Sequence, residues 1–171
     1  AAGMHLTKTI NGGTNWISNS TTNWNVFYGD IHFVNSSTGF VINNSSLLKT
    51  TDEGKTWTLK KTSNYTFNDV FFINETTGWV VSSYNKEVYK STNGGETWTA
   101  ITTLPSQILS YFSLRKVFFL NEQTGWIVGQ YGTILKTTDG GASWTIQNSN
   151  TTNTLQSIHF IDANTGIAVG D

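Results

Sequence analysis

The stretch Lys136-Thr137-Thr138-Asp139-Gly140-Gly141-Ala142-Ser143-Trp144 follows a pattern in which Lys-Thr/Ser-x-Asp/Asn precedes a glycine and then a tryptophan. The pattern occurs four times along the 171 residues of the chain. Self-similarity at a fixed period indicates a repeat architecture, and it constrains the fold before any local argument does. The other three copies are Lys8–Trp16, Lys49–Trp57 and Lys90–Trp98.

Each copy predicts a tight turn between two β-strands. The Asp or Asn side chain can accept hydrogen bonds from backbone N–H groups two or more residues ahead, and the glycine supplies the positive φ of the turn. The tryptophan then fills the gap between neighbouring sheets. We therefore predict a structural role rather than a catalytic one for the following residues: Asn11, Trp16, Asp52, Trp57, Asn93, Trp98, Asp139 and Trp144.

A second repeated block alternates with these turns. It consists of an apolar run, a polar turn that ends in Thr-Gly, and a second apolar run, which is typical of a β-hairpin. Because the runs are nearly continuous in apolar residues, both faces of each strand are expected to be covered. The four copies span residues 31–42, 70–81, 117–128 and 158–169.

Together the two blocks predict an all-β fold, a β-propeller built of four four-stranded antiparallel blades of 41–46 residues each. We predict one module over residues 1–171, in which strands from 1–17 and 155–171 complete a shared blade. Such a blade closes the ring and removes its exposed edges. It can close within one chain or between two. Because four blades alone must each turn the ring by about 90°, we favour a homodimer that forms an eight-bladed ring.

The composition excludes several classes of function. Charged residues make up 12% of the chain and the net charge is −1, so we expect no nucleic-acid partner and no polybasic membrane patch. The chain has no cysteine and therefore no disulfide or thiolate metal site. No apolar run approaches the roughly 20 residues of a membrane span, so no membrane insertion is expected. An Asn-rich, cysteine-free composition favours an exported bacterial protein, periplasmic or extracellular.

The segment Thr/Ser-x-Asp/Asn-x-Gly-x-Thr/Asn/Ser-Trp resembles the Asp-box, or BNR repeat, of sialidases and related propellers. The wider frame is an apolar strand, Thr-Gly-Trp, a glycine turn, Leu-Lys-Thr and the box. It is more closely similar to the photosystem II assembly and stability factor family and its bacterial relatives, over essentially the whole chain. The resemblance implies a propeller that binds a client. Photosystem factors are similar to one another in holding the client with an arginine-rich patch, which Arg115, the single arginine here, cannot supply.

The arginine and histidine residues bear on enzymatic and metal-binding roles. Sialidases resemble one another in clamping the substrate carboxylate with three arginines, so we predict no enzyme and no cofactor here. His32 and His159 occupy equivalent positions, where the other two copies carry Phe71 and Phe118. Two imidazoles on neighbouring blades could approach a metal or an anion. We favour the simpler interpretation, in which each histidine replaces an aromatic ring on an inner strand, and predict no metal site.

The loops between blades, and those joining the second and third strands of a blade, are expected to open on one face. Their aromatic residues are flanked by asparagines, a combination that suits a protein epitope or a sugar ring. We predict a non-catalytic binding or scaffold module for a protein partner or assembly client. A lectin-like carbohydrate-binding propeller and a half-propeller that assembles itself into an eight-bladed ring are the alternatives. The candidate ligand-binding residues are Trp24, Tyr65, Tyr84, Tyr111 and Tyr131.

Overall fold

Short β-strands make up the regular structure of the computed structural model, which describes residues 6–19 and 28–171. In that part of the chain no helix is long and apolar enough to cross a membrane. The strands are β1 (Leu6–Lys8), β2 (Ile17–Asn19), β3 (Tyr28–Phe33), β4 (Gly39–Asn43), β5 (Ser46–Thr50), β6 (Thr58–Thr62), β7 (Phe67–Phe72), β8 (Gly78–Ser82), β9 (Val88–Ser91), β10 (Thr99–Ala100), β11 (Leu114–Phe119), β12 (Gly125–Gly129), β13 (Ile134–Thr137), β14 (Thr145–Gln147), β15 (Leu155–Phe160) and β16 (Gly166–Gly170).

The strands form successive antiparallel sheets. Among the described residues, three sheets have four strands each, β3–β6, β7–β10 and β11–β14, and neighbouring strands pair in chain order. Each sheet is a propeller blade, whose strands we number 1 to 4. Strands β3, β7, β11 and β15 contact one another in sequence, so the first strand of each blade lies innermost. The predicted all-β propeller with four-stranded antiparallel blades is confirmed.

Among the described residues, the segments predicted to share a blade, 1–17 and 155–171, do not pair with each other. The described residues of these segments instead form two separate two-stranded sheets, β1–β2 and β15–β16, which we call the half-blades. The described residues thus contain three complete blades rather than four. A shared blade needs β16 beside β1, but the three complete blades separate these strands along the stack. A closed ring of four requires a turn of about 90° per blade.

A stacked pair of rings closes each seam, by which we mean the contact between consecutive blades. One ring comes from strand 2 of a blade, and the other comes from the end of strand 1 of the next blade. The rings are nearly parallel, within 9° of each other. The pairs are Phe40 with Phe72 at 4.0 Å between centroids, Trp79 with Phe119 at 3.5 Å, and Trp126 with Phe160 at 3.6 Å.

The box tryptophan completes each seam. Trp144 packs edge-on against Phe119, with 6.0 Å between ring centroids, and Trp98 does the same against Phe72 at 5.7 Å. A glycine of the box lies against the ring from the preceding blade. A Cβ added at Gly141 would lie 3.0 Å from Nε1 of Trp79, so the close approach requires glycine there.

In all four copies the box Asp or Asn accepts a hydrogen bond from the backbone N–H four residues further on. At Asp139 the Ser143 hydroxyl donates to one carboxylate oxygen (2.6 Å) and the Ser143 backbone N–H donates to the other (2.9 Å). These bonds stabilise the ionised form and lower the pKa of Asp139 to about 2. The Thr56 hydroxyl and N–H lower the pKa of Asp52 to about 2 in the same manner. The corresponding backbone bonds go to the amide oxygens of Asn11 (2.9 Å) and Asn93 (3.0 Å).

Lysines on strand 3 reach from one blade to the box of the next. Lys90 Nζ donates to the Gly140 carbonyl (2.8 Å), and Lys8 Nζ donates to the Glu53 carbonyl (3.0 Å). The Lys90 ammonium also lies 5.3 Å from the centre of the Trp79 ring, a distance typical of a cation–π contact. Lys8 and Lys90 therefore link neighbouring blades at the edges of their seams.

A buried carboxylate links the innermost strands of two blades. Asp69 follows an irregularity in the β7 register and is 1% exposed. Its carboxylate accepts hydrogen bonds from Lys116 Nζ (2.6 Å) and from the Val117 N–H (2.8 Å), both on β11. Burial and the neighbouring Asp30 carboxyl raise the pKa of Asp69 to about 7. The ionisation of this link therefore changes near neutral pH.

Truncation of a seam ring should lower the free energy of unfolding far more than truncation of an exposed ring. Phe119→Ala removes the ring between Trp79 and Trp144, and should lower the free energy of unfolding by about 3–5 kcal/mol. Tyr111→Ala removes an exposed ring and should cost less than about 1 kcal/mol. Urea denaturation followed by circular dichroism measures both. Equal losses would contradict the seam rings as the main source of cohesion between blades.

Asp69 should make stability depend on pH. Between its ordinary pKa of 3.8 and its folded pKa of about 7, the unfolded chain loses a proton that the folded chain keeps. The contribution of Asp69 to the free energy of unfolding should therefore fall as pH rises, by up to about 1.4 kcal/mol per pH unit.

The isosteric variant Asp69→Asn lacks this titration. The stability of the wild type minus that of the variant should decrease from pH 4 to 7 and level off above the folded pKa. Urea denaturation at each pH measures the difference. A difference that stays constant with pH would show that Asp69 is ionised throughout this range.

Candidate functional site

Two families of loops lie on one face of the molecule, as predicted. Backbone hydrogen bonds join each strand 2–3 loop to the loop that leads into the next blade. Asn85 N–H donates to Ser110 O (2.6 Å), and Gly132 N–H donates to Asn153 O (2.9 Å). We call this surface the loop face, and it comprises residues 44–45, 63–66, 83–87, 101–113, 130–133 and 148–154.

Four of the five predicted ligand-binding residues form two equivalent pairs on the loop face. Tyr65 precedes the β7–β10 blade and lies 6.3 Å, between ring centroids, from Tyr84 in that blade's strand 2–3 loop. Tyr111 precedes the β11–β14 blade and lies 6.3 Å from Tyr131 in the corresponding loop. All four rings are exposed, Tyr84 by 52% and Tyr131 by 56%. Trp24, the fifth residue, lies outside the described residues.

The hairpin turn at residues 130–133 presents Tyr131. Thr133 N–H donates to Gln130 O (3.1 Å), and the two central residues, Tyr131 and Gly132, both have positive φ, at 57° and 65°. This is the type I′ geometry that matches the twist of a β-hairpin. A bulky aromatic residue in this region of φ is rare and strained. The turn thus holds an exposed ring at a position where glycine or asparagine would be more stable.

Phe112 extends the second tyrosine pair, and the sequence prediction missed it. Its ring lies 4.6 Å from Tyr131 and 5.1 Å from Tyr111, measured between centroids. Beside it is a hollow of about 530 Å³ that Ile108, Tyr131 and Gln147 help to line. The sequence offered one signal for Phe112, which is its position next to the predicted ligand-binding residue Tyr111. The cluster offers an apolar floor with amide and hydroxyl groups around it, suited to a side chain or a sugar ring.

His32 and His159 pack against neighbouring aromatic rings. His32 Nε2 lies 3.0 Å from the Phe72 carbonyl oxygen, and because that oxygen only accepts, this nitrogen carries the proton. Burial lowers the pKa of His32, which favours the neutral ring. His159 packs against Phe118, with 4.9 Å between centroids. No group of three or more His, Cys, Asp or Glu residues within 6–19 and 28–171 could hold a metal ion.

The carboxylates described so far are engaged in structural contacts. Asp52 and Asp139 accept hydrogen bonds within their own turns, and Asp69 is buried against Lys116. A general acid or base must instead reach a bound substrate. The loop face, by contrast, offers exposed rings and amides. Such groups can contact a ligand by aromatic packing and hydrogen bonding.

A family model matches most of the chain. The model is described as photosynthesis system II assembly factor YCF48, and it matches residues 13–103 and 60–152. A search of curated proteins found no significant match.

Several solved structures share the fold. A structure of YCF48 bound to D1 peptide matches with a TM-score of 0.71 and 23% identity, over 86% of this chain and 48% of that one. YCF48 from Cyanidioschyzon merolae matches with a TM-score of 0.73 and 16% identity, over 98% and 61%. A GH74 xyloglucanase from Xanthomonas campestris has a TM-score of 0.69 and 13% identity, over 82% and 26%. The chain thus spans about half to three fifths of the YCF48 chains, and identities this low establish the fold alone.

Proposed function

This chain belongs to the photosynthesis system II assembly factor YCF48 family, and we propose that it is a non-catalytic propeller module that binds a protein client through the loop face. The single observation that carries the proposal is the repeated pair of exposed tyrosines, Tyr65 with Tyr84 and Tyr111 with Tyr131. The YCF48 structure with a D1 peptide supports a peptide segment as the form of the client.

The contacts on the loop face favour a client that is recognised by its apolar and aromatic side chains. Tyrosine buries a large area at a small cost in conformational entropy, because it has only two rotatable side-chain bonds. The two pairs lie in neighbouring repeats, and the hydrogen bond between Asn85 and Ser110 joins the loops that carry them. An extended segment of the client would cross both pairs in turn. With Arg115 as the only arginine, recognition would depend on rings and amides rather than on guanidinium groups.

Strain in the Tyr131 turn supports a binding role. A left-handed conformation costs a non-glycine residue about 1–2 kcal/mol, and strained residues are concentrated at functional sites. Packing alone does not require the ring, because more than half of it is exposed. A bound client would cover Tyr131 and offset the strain.

Loss of the paired tyrosines should weaken client binding. The probe is a phage-displayed library of 12-residue peptides selected on the wild-type protein. Tyr84→Ala and Tyr131→Asn should each weaken binding of the selected peptides by roughly tenfold, since interface tyrosines are frequent hot spots. Asparagine is used at position 131 because it tolerates positive φ. Isothermal titration calorimetry measures the affinities.

Leu59→Ala is the matched control, because Leu59 is an exposed apolar residue on β6, away from the loop face. It should leave the affinity unchanged. Selected peptides that bind both tyrosine variants as tightly as the wild type would overturn the proposal. A glycan array that retains the protein, together with no enriched peptide, would favour the lectin-like alternative instead.

We also propose that the module does not hydrolyse polysaccharide, although a GH74 xyloglucanase shares its fold. Support comes from Asp52 and Asp139, which are held in turns, and from Asp69, which is buried against Lys116. Incubation with xyloglucan should release no reducing ends above the level of a heat-denatured sample, and steady release would refute this part. Export from a bacterial cell stays a proposal that rests on composition alone.

A further inference from the structure

The loop that leads into the β11–β14 blade covers residues 101–113 and is longer than its equivalents. Two turns fold it back on itself, closed by hydrogen bonds from Ile108 N–H to Pro105 O (3.0 Å) and from Phe112 N–H to Leu109 O (2.9 Å). Ile108 is 3% exposed and packs in the core between the second and third complete blades. The long loop is therefore a packed part of the loop face. The equivalent loops, which lead into β7 and β15, cover residues 63–66 and 148–154.

The long loop forms one wall of the hollow beside Phe112, which we call the anchor hollow. The ring of Phe112 is partly exposed and Ile146 is 44% exposed, so apolar surface in the hollow is open to a ligand. Its volume of about 530 Å³ falls in the range of pockets that hold small ligands, about 300–1,000 Å³. The anchor hollow can therefore admit a large side chain. Its lining consists of residues 107–108, 112, 131–133 and 146–149.

The β7–β10 blade shows the same place in the repeat without the long loop. There the strand 2–3 loop and the end of strand 4 line a smaller cavity of about 320 Å³, to which residues 63–66 contribute nothing. Lys86 and Glu87 belong to the lining of this cavity. Among the described residues, no Asp, Glu, Lys, Arg or His lines the anchor hollow. The long loop thus gives the β11–β14 blade a larger, uncharged hollow with an aromatic ring in its wall.

The absence of charge in this lining selects the chemistry of the occupant. A charged side chain that entered the anchor hollow would lose hydration without gaining an ion partner, which is unfavourable. An aromatic side chain buries about 150–250 Å² and gains edge-to-face or offset contacts with other rings. Phe112 and Tyr131, whose centroids lie 4.6 Å apart, offer such rings side by side. The anchor hollow therefore favours an uncharged aromatic side chain.

Side-chain amides set a preference among the aromatic residues. Gln107, Gln147 and Asn148 belong to the lining, and each amide carries an oxygen that accepts and a nitrogen that donates. The indole N–H of tryptophan and the phenol O–H of tyrosine need a hydrogen-bond partner when they are buried. Phenylalanine and leucine have no such group and gain nothing from the amides. The lining therefore suits an aromatic side chain with a polar tip.

We infer that the anchor hollow takes one tryptophan or tyrosine side chain of the client, an inference that rests on the proposed function. The exposed rings of Tyr111 and Tyr131 contact each other at this site and would flank the client on either side of its anchor. The Tyr65–Tyr84 pair, next to the cavity lined by Lys86 and Glu87, adds contact area without an anchor. Affinity concentrated in one aromatic residue seated in a pocket is typical of protein interfaces.

Titration with N-acetyl-tryptophanamide tests the anchor hollow without a client. Proton–nitrogen correlation spectra of the wild type should show saturable shifts of the backbone amides of Ile108, Gly132 and Gln147. N-acetyl-leucinamide and N-acetyl-lysinamide should bind at least about threefold more weakly, since contacts between aromatic rings add to the effect of buried area. Equal affinity for the leucine and tryptophan amides, or shifts confined to residues outside the anchor hollow, would overturn the inference.

Ile146→Trp fills the anchor hollow without removing a core side chain, and it should abolish saturable binding of N-acetyl-tryptophanamide. Leu59→Trp is the matched control, because Leu59 pairs with Leu48 as Ile146 pairs with Leu135, and it is 47% exposed. It should bind the amide no differently from the wild type. Phe112→Leu removes the ring but keeps most of its volume, and should weaken binding by about threefold. Circular dichroism checks that all three variants are folded. Unchanged binding by Ile146→Trp would contradict the inference.

The peptides selected on the wild type separate this inference from the proposed function. They should share one tryptophan or tyrosine, and its replacement by serine should weaken binding at least about tenfold. Peptides that require Tyr84 and Tyr131, yet share no such residue and bind Ile146→Trp as tightly as the wild type, would overturn the inference and leave the proposed function intact. Failure to enrich any peptide would count against the proposed function, whereas the amide titration decides the preference of the anchor hollow independently.

Discussion

The flat contact between two aromatic rings across each seam is the constraint on which the rest of the structure depends. A ring on strand 2 must lie within about 4 Å of a ring that ends strand 1 of the following blade. That spacing forces a glycine into the box, where a Cβ would collide with the ring, and it positions the box tryptophan against the ring's edge. The turn bonds around Asp139 and its equivalents hold both in place. The repeated box pattern supplies the glycine and the tryptophan that this contact requires.

The seam selects for flat shape more than for chemical identity. Among the described residues, the buried indole nitrogens of Trp57, Trp79 and Trp144 have no hydrogen-bond partner. At the stacked position, no hydrogen bond therefore distinguishes tryptophan from phenylalanine, and Phe40 stands where the next blade has Trp79. The loop face follows a different rule. Residues on the loop face do not pack in the seams. A loop can therefore carry an exposed tyrosine in one blade and lack it in another.

The blades were predictable from the sequence because each is specified locally. The box at Asp139 combines a turn acceptor, two glycines and a tryptophan within a few residues, and the side of the molecule that carries Tyr84 follows from strand order. Contacts between distant residues were not predictable. Asp69 meets Lys116 across 47 positions, and no pattern marks either residue. The positive φ of Tyr131 was hidden because its neighbour Gly132 accounts for the turn. Whether residues 1–17 and 155–171 complete one blade depends on the angle between successive blades, and the length of the repeat does not specify that angle.

The stack of seams also sets how the molecule comes apart. Each blade draws its support from the blades on either side, so cohesion runs along one dimension, as in a linear chain of coupled units. The β7–β10 blade has a complete blade on both sides and is held by the carboxylates of Asp30 and Asp69 as well. Because this blade is supported on both sides, we expect amide hydrogens on β7 and β8 to be among the last to exchange with solvent. The β7–β10 blade is therefore the most strongly supported of the three complete blades.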